Sequence, residues 1–229
     1  FLMSEKTVAR FIRITGLVQG VGFRPTVFVV AHELNLTGEV FNDAEGVGLT
    51  IEGAPEKVND FERLLREKLP ALARIDTFVA KDVPVSHFKA FSITESRAGK
   101  VSTNITPDAA TCRACLEDIS TESNRRYRYA FTNCTHCGPR YTITRHLPYD
   151  RVQTAMATFK MCPACQTEYT DPLDRRFHAQ PNACPTCGPE LLFTDMAGNE
   201  ITGDPLFLAA QALRDGKVVA IKGLGGFHL

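Results

Sequence analysis

Two groups of residues in this 229-residue sequence have types and spacings that suit chemistry. The first is a glycine-rich turn, Val18-Gln19-Gly20-Val21-Gly22-Phe23-Arg24-Pro25, which follows an alternating, strand-like run from Thr7 to Thr15. Glycines let such a turn curl so that several backbone N–H groups converge on one phosphate-sized anion. Arg24 adds a planar, charged pair of donors for the same oxygens. The turn is therefore a candidate phosphate site.

Asn42 ends the next predicted strand, within Gly38-Glu39-Val40-Phe41-Asn42-Asp43, and its amide is suited to orienting a water molecule. A site made of Arg24 and Asn42 needs no nucleophilic side chain, because it holds a dianion and positions the attacking water. Taken alone, the same residues also fit an ordinary tight turn with a solvated arginine.

The second group is eight cysteines, which form four C-x-x-C pairs and are absent from the first 111 residues: Cys112/Cys115, Cys134/Cys137, Cys162/Cys165 and Cys184/Cys187. Two thiolates at this spacing hold one metal ion, and two such pairs complete a tetrahedral site. The pattern favours two structural Zn²⁺ ions per chain over disulfides. A closed four-cysteine site has no open position for catalysis.

The cysteines belong to an internal repeat, because residues 112–139 and 162–189 align without a gap. A duplicated unit predicts that each repeat closes on its own metal ion, although pairing of the second C-x-x-C with the third remains an alternative. The repeats share Arg125-Arg126 and Arg175-Arg176, which are expected to cap carbonyls or pair with thiolates. His136 and His178 are alternative ligands for which four cysteines leave no vacancy.

Hydrophobic periodicity predicts the elements that position these groups. Residues 6–97 have a β-α-β-β-α-β order with one further strand, which predicts an α+β, ferredoxin-like domain. Residues 105–190 form the zinc-stapled twin-repeat module, and residues 201–229 begin a third, incomplete α/β domain with a helix at Pro205–Arg214 and a strand at Lys217–Lys222. The polar linker at residues 95–104 predicts that the first domain is catalytically independent of the metal-dependent one.

Composition and charge narrow the function classes. The formal net charge is zero, and residues 99–190 carry eleven Lys/Arg against nine Asp/Glu. Eight thiolates and two Zn²⁺ add four negative charges to that surplus of two, leaving minus two, which argues against a nucleic-acid surface. No apolar run approaches the roughly 20 residues that span a bilayer, and no signal peptide is evident. We therefore expect a cytoplasmic protein without membrane or nucleic-acid partners.

VQGVGFRP followed by GEVFNDAEGV closely resembles the acylphosphatase signature, over about the first 95 residues. The resemblance implies an acylphosphatase-type fold. It also implies that Arg24 binds the phosphate of an acyl phosphate while Asn42 orients the water that attacks phosphorus.

The whole arrangement, with NCTHCGPR, DPLDRRFHAQP and KVVAIKGLGGFHL, resembles the HypF family of hydrogenase-maturation carbamoyltransferases. That resemblance implies hydrolysis of carbamoyl phosphate in the first domain. It implies ATP and Mg²⁺ chemistry in a YrdC-like domain, of which only the start, with Lys222 as a nucleotide contact, is present. It also implies transfer of the carbamoyl group to the C-terminal cysteine of HypE, as a precursor of the cyanide ligand of [NiFe]-hydrogenase.

A second hypothesis is a non-catalytic zinc-ribbon adaptor that binds protein or nucleic acid and has a degenerate first domain. The presence of both Arg24 and Asn42 argues against it.

Overall fold

A computed structural model describes residues 7–97 and 106–229. The first part is a five-stranded sheet with two helices. In chain order its elements are β1 (Val8–Leu17), α1 (Phe23–Glu33), β2 (Thr37–Asp43), β3 (Gly46–Gly53), α2 (Pro55–Glu67), β4 (Arg74–Val83) and β5 (Phe91–Ile93). The strand order is β4-β1-β3-β2-β5, with antiparallel neighbours except for the parallel pair β2–β5. The predicted α+β, ferredoxin-like fold is confirmed.

Alternating side chains decide which face of this sheet is buried. Ile12 of β1 lies opposite Leu49 of β3, which in turn lies opposite Val40 of β2, so the three side chains share one face. All three are almost fully buried, together with Val27 of α1 and Phe61 of α2. Burying an aliphatic or aromatic side chain contributes about 1.5–3 kcal/mol. This shared core fixes the helices on one face of the sheet.

The glycine turn leads from β1 into α1. Gly20 and Gly22 have φ of 74° and 81°, in the left-handed region that glycine tolerates best. The sequence predicts Pro25 at the first helical position, but α1 begins two residues earlier, at Phe23. Proline still lies within the first turn, where its missing N–H breaks no helical hydrogen bond.

The cysteine repeats have little regular structure. Each contains one short helix that starts immediately after its first cysteine: α3 (Arg113–Ser120) follows Cys112, and α4 (Pro163–Thr170) follows Cys162. The hydrophobic cluster of this part of the chain is small, with Tyr129, Ile143, Met156 and Ala183 at its centre. A cluster of this size provides much less folding free energy than the core of the first part of the chain.

The C-terminal residues form α5 (Pro205–Arg214) and a small hairpin, β6 (Ile221–Lys222) and β7 (Phe227–His228). Asp204 caps α5 by accepting from the backbone N–H of Leu206 at 2.9 Å. The strand predicted over residues 217–222 is shorter in the structure, where only Ile221–Lys222 pairs with β7. Across the described residues, no helix is both long and apolar enough to cross a membrane.

Candidate functional site

Arg24 lies at the start of α1, and its side chain is only 8% exposed. Its Nη2 donates to the Asp150 Oδ1 atom at 2.7 Å and to the Tyr149 carbonyl oxygen at 3.3 Å. Both partners lie between the two cysteine repeats, more than 120 positions away in the chain. The predicted anion-binding arginine is thus held by a segment of the second part of the protein.

Asn42, at the end of β2, lies beside Arg24. The hydrogen-bond network assigns the amide oxygen to the side facing the guanidinium, where it accepts from Nε and Nη2 of Arg24 at 3.2 Å each. The amide nitrogen then points away from the guanidinium. Asn42 is 1% exposed and lines the same cavity as Arg24.

The glycine turn lines the same cavity with Gly20, Gly22 and Phe23. The side chains of Val21 and Phe23 are buried in the core of the first domain, so these positions present only their backbone to an anion. Both N–H groups of the Gln19 side chain have hydrogen-bond partners within the protein, because its Nε2 donates to the carbonyl oxygens of Asp43 at 2.6 Å and Gly46 at 2.8 Å. Its Oε1 accepts from the backbone N–H of Tyr149 at 2.9 Å.

The second part of the chain supplies the opposite wall of this cavity: Thr135, Arg140, Tyr149, His178, Ala179 and Gln180. Arg24 and Asn42 themselves lie in the first domain, in line with the expectation of a catalytically independent domain, but the cavity around them is shared with the metal-dependent region. Packing reinforces the contact, since the ring of Phe28 on α1 meets that of Phe177 edge-on at 5.4 Å between centroids. The linker covered by that expectation lies partly outside the described residues, at 98–105.

Arg140 ties the first cysteine group to the glycine turn. Its side chain makes five hydrogen bonds to backbone carbonyl oxygens, which matches the five N–H groups of a guanidinium. Four of them belong to the neighbouring C-x-x-C segment, those of Cys134, Thr135, Cys137 and Pro139 at 2.9–3.1 Å. The fifth is the carbonyl of Gly20. The position of the turn therefore depends directly on that cysteine segment.

Two titratable groups of the cavity wall are kept neutral. Burial, reinforced by the nearby charge of Arg24, lowers the pKa of His178 to about 4. Burial likewise raises the pKa of Tyr149 to about 12. The Tyr149 hydroxyl has no hydrogen-bond partner among the described residues. His178, considered in the sequence only as a spare metal ligand, is instead part of the wall around Arg24.

The eight cysteines come together in two groups of four, each drawn from one repeat: Cys112, Cys115, Cys134 and Cys137, then Cys162, Cys165, Cys184 and Cys187. Pairing within each repeat is therefore confirmed. Measured sulfur–sulfur distances are 3.6–3.8 Å. Tetrahedral Zn²⁺ with Zn–S bonds of about 2.3 Å requires about 3.8 Å between sulfurs. The geometry fits two zinc ions and excludes disulfides, and neither group includes a histidine.

The arginines that the two repeats share contact the cysteine group of the opposite repeat. Arg125, in the first repeat, donates to the Cys165 sulfur at 3.2 Å, and Arg175, in the second, donates to the Cys115 sulfur at 2.9 Å. The neighbouring arginines donate to backbone carbonyl oxygens of the opposite repeat. Arg126 donates to that of Ala183 at 2.8 Å, and Arg176 donates to that of Asn133 at 3.0 Å. Both roles expected of these arginines occur, each with the opposite repeat.

Lys222 and the partners of Arg24 differ from the sequence-based expectations. Lys222 is exposed on the C-terminal hairpin and belongs to neither the cavity nor the cysteine groups. Tyr149 and Asp150, by contrast, contact Arg24 but are not identifiable from the sequence, because they lie in the unrepeated segment between the two C-x-x-C repeats. Neither residue type nor spacing there differs from an ordinary loop.

Comparison with known proteins agrees with this geometry. Residues 10–93 match the family model described as Acylphosphatase, and residues 111–144 and 161–194 each match that described as HypF finger. An acylphosphatase from Lactobacillus johnsonii is 37% identical over 90 residues, which are 38% of this chain and 97% of that protein. The fold and site thus define an acylphosphatase domain followed by two zinc-finger repeats.

Longer relatives combine the same parts. Carbamoyltransferase HypF of Rhodobacter capsulatus is 52% identical over 223 residues, covering 95% of this chain and 29% of that protein. A crystal structure of full-length HypF in a phosphate- and nucleotide-bound form is 42% identical, with a TM-score of 0.92 over 100% of this chain and 30% of the other. The chain belongs to the acylphosphatase family over residues 10–93, and along nearly its whole length it is similar to HypF carbamoyltransferases, of which it spans about a third.

Proposed function

We propose that this chain hydrolyses carbamoyl phosphate to carbamate and phosphate at the site formed by Arg24 and Asn42. The observation that carries the proposal is the contact between these two side chains beneath the glycine turn, at a cavity closed by a second region of the protein. We choose carbamoyl phosphate as the substrate because the chain is similar to HypF carbamoyltransferases.

In this mechanism the backbone N–H groups of residues 19–24 and the guanidinium of Arg24 hold the phosphoryl oxygens. Charge-assisted donors fixed in a buried site stabilise the charge that develops during phosphoryl transfer. The amide of Asn42 orients a water molecule for attack at phosphorus. The water oxygen forms the new P–O bond while the bond to the acyl oxygen breaks, and the carbamate leaves with both electrons of that bond. The phosphate-bound form of the related full-length HypF supports a phosphate site in this family.

The proposal also covers the metal sites, the domain limits and the steps that follow in the longer protein. Each cysteine group holds one structural Zn²⁺ ion, and the domains extend over residues 6–97, 105–190 and 201–229. ATP and Mg²⁺ act in the larger YrdC-like domain that begins in the last of these, where Lys222 contacts the nucleotide. The carbamoyl group is finally passed to a cysteine of HypE by regions of the longer protein.

Phosphate release from carbamoyl phosphate by the zinc-loaded chain tests the proposed function. We expect saturable turnover with carbamoyl phosphate, and slower turnover with acetyl phosphate. A folded, zinc-loaded chain that hydrolyses neither substrate would refute the proposal and favour the non-catalytic adaptor.

A further inference from the structure

Arg24 has two hydrogen-bond acceptors that a minimal acylphosphatase does not possess. The Tyr149 carbonyl and the Asp150 carboxylate both accept from Nη2 of Arg24. They lie far beyond residues 10–93, which match the acylphosphatase family model. The Lactobacillus johnsonii acylphosphatase aligns with only 90 residues of this chain, and that alignment already covers 97% of its length. The two acceptors are therefore an addition to the acylphosphatase site.

Asp150 is an unexpected neighbour for a phosphate site, because a carboxylate repels a phosphate dianion. It also occupies a donor of Arg24 that the substrate needs. The inner cavity has a volume of about 20 Å³, which is room for about one water molecule and not for a phosphoryl group. A phosphoryl group that bonds to Nη2 of Arg24 must therefore displace the Asp150 carboxylate from that donor.

The lining residues indicate where the acyl end of the substrate points. Asn42 lines the inner cavity, Asp150 lines a wider outer cleft of about 580 Å³, and Arg24 lines both. In phosphoryl transfer the attacking and leaving oxygens lie roughly in line, on opposite sides of phosphorus. With the water on the Asn42 side, the acyl group points into the outer cleft, toward Asp150.

We propose that the Asp150 carboxylate recognises the amino group of carbamoyl phosphate. This inference rests on the proposed function. The phosphoryl oxygens replace Asp150 on Arg24, and the released carboxylate accepts an N–H of the amino group in the outer cleft. Acetyl phosphate has a methyl group at this position and leaves the carboxylate unpaired beside a dianion. Sites built to bond an N–H reject analogues that lack it.

The test compares kcat/KM for carbamoyl phosphate and acetyl phosphate in zinc-loaded wild type, Asp150→Ala and Asp150→Asn. We expect Asp150→Ala to reduce the preference for carbamoyl phosphate roughly tenfold or more, through loss of activity on that substrate. Asp150→Asn retains an acceptor oxygen and should keep most of the preference. Asp82→Ala is the matched control, because it removes an ion pair, to Arg10 at 3.0 Å, outside the cavity and the cleft.

Two results would overturn the inference while leaving the proposed function intact. An unchanged substrate preference in Asp150→Ala would show that the carboxylate does not recognise the amino group. An equal loss of activity on both substrates would make Asp150 a positioning residue for Arg24. If Asp150→Ala does not fold, Asp150→Leu with Asp150→Asn as its acceptor-retaining pair makes the same comparison. Wild type that hydrolyses neither substrate would overturn both proposals.

Discussion

Nη1 of Arg175 lies 2.9 Å from the sulfur of Cys115, so an arginine of the second repeat contacts the cysteine group of the first. The same arginine pairs with Asp118 on α3, and Arg125 makes the equivalent contacts with Cys165 and Glu168. A four-cysteine Zn²⁺ site carries two negative charges, which these guanidinium groups offset. Each repeat therefore stabilises the metal site of the other.

We predict that Arg175→Ala weakens metal retention in the first cysteine group, although the residue belongs to the second repeat. Loss of such an outer partner of a metal ligand lowers affinity about 10- to 100-fold. Alkylation of Cys112 and Cys162 in the presence of a chelator, followed by peptide mass spectrometry, measures the two sites separately. Arg113→Ala removes an exposed arginine of α3 and is the control. Faster alkylation at Cys162 than at Cys112 would contradict the crossed arrangement.

Metal content gives a second prediction. Two groups of four cysteines with tetrahedral spacing are expected to hold two Zn²⁺ ions per chain. Elemental analysis of protein purified under reducing conditions measures the ratio directly. Cys115→Ser and Cys165→Ser should each remove one ion, from its own repeat. A ratio of one or zero in the unmodified chain, with disulfides detected by mass spectrometry, would refute this prediction.

The sequence predicts the grouping of the cysteines, but it does not predict that a second region of the chain closes the cavity around Arg24. A gap-free repeat predicts that each repeat holds its own metal ion, because duplication copies a whole site. Likewise, alternation in β1 and helical spacing in α1 predict the first domain from local sequence. Contact of Arg24 with Asp150 depends on how two regions pack, and neither residue carries a local signal of it. The true start of α1 at Phe23 depends on the two left-handed glycines.

We predict that metal removal lowers hydrolysis of acyl phosphates together with the zinc content. Arg140 joins the carbonyls of Cys134 and Cys137 to that of Gly20, so loosening this cysteine segment displaces the glycine turn. A displacement of about 1 Å in such a site lowers the rate by up to roughly a hundredfold. Titration with a chelator, followed by addition of Zn²⁺, relates activity to metal content. Full activity in the metal-free chain would contradict this coupling.

The lowered pKa of His178 predicts a pH-dependent stability. Burial and the charge of Arg24 bring this pKa from 6.5 to about 4. Between these values the unfolded chain binds a proton that the folded chain does not, so stability is complete above pH 6.5 and falls as the pH decreases toward 4. His178→Gln should remove about 2 kcal/mol of the loss between pH 7 and pH 5. Denaturant unfolding of both proteins measures it, and identical pH dependences would contradict the assignment.

In the proposed mechanism, Arg24 binds the transferred phosphoryl group and Asn42 positions the attacking water. The most direct test is phosphate release from carbamoyl phosphate by zinc-loaded wild type, Arg24→Ala and Asn42→Ala, with Arg10→Ala as a control outside the cavity. We expect Arg24→Ala to lower kcat/KM roughly a hundredfold or more, and Asn42→Ala to lower kcat more than it weakens inhibition by phosphate. Near-normal turnover in a folded, zinc-loaded Arg24→Ala variant would contradict the claim.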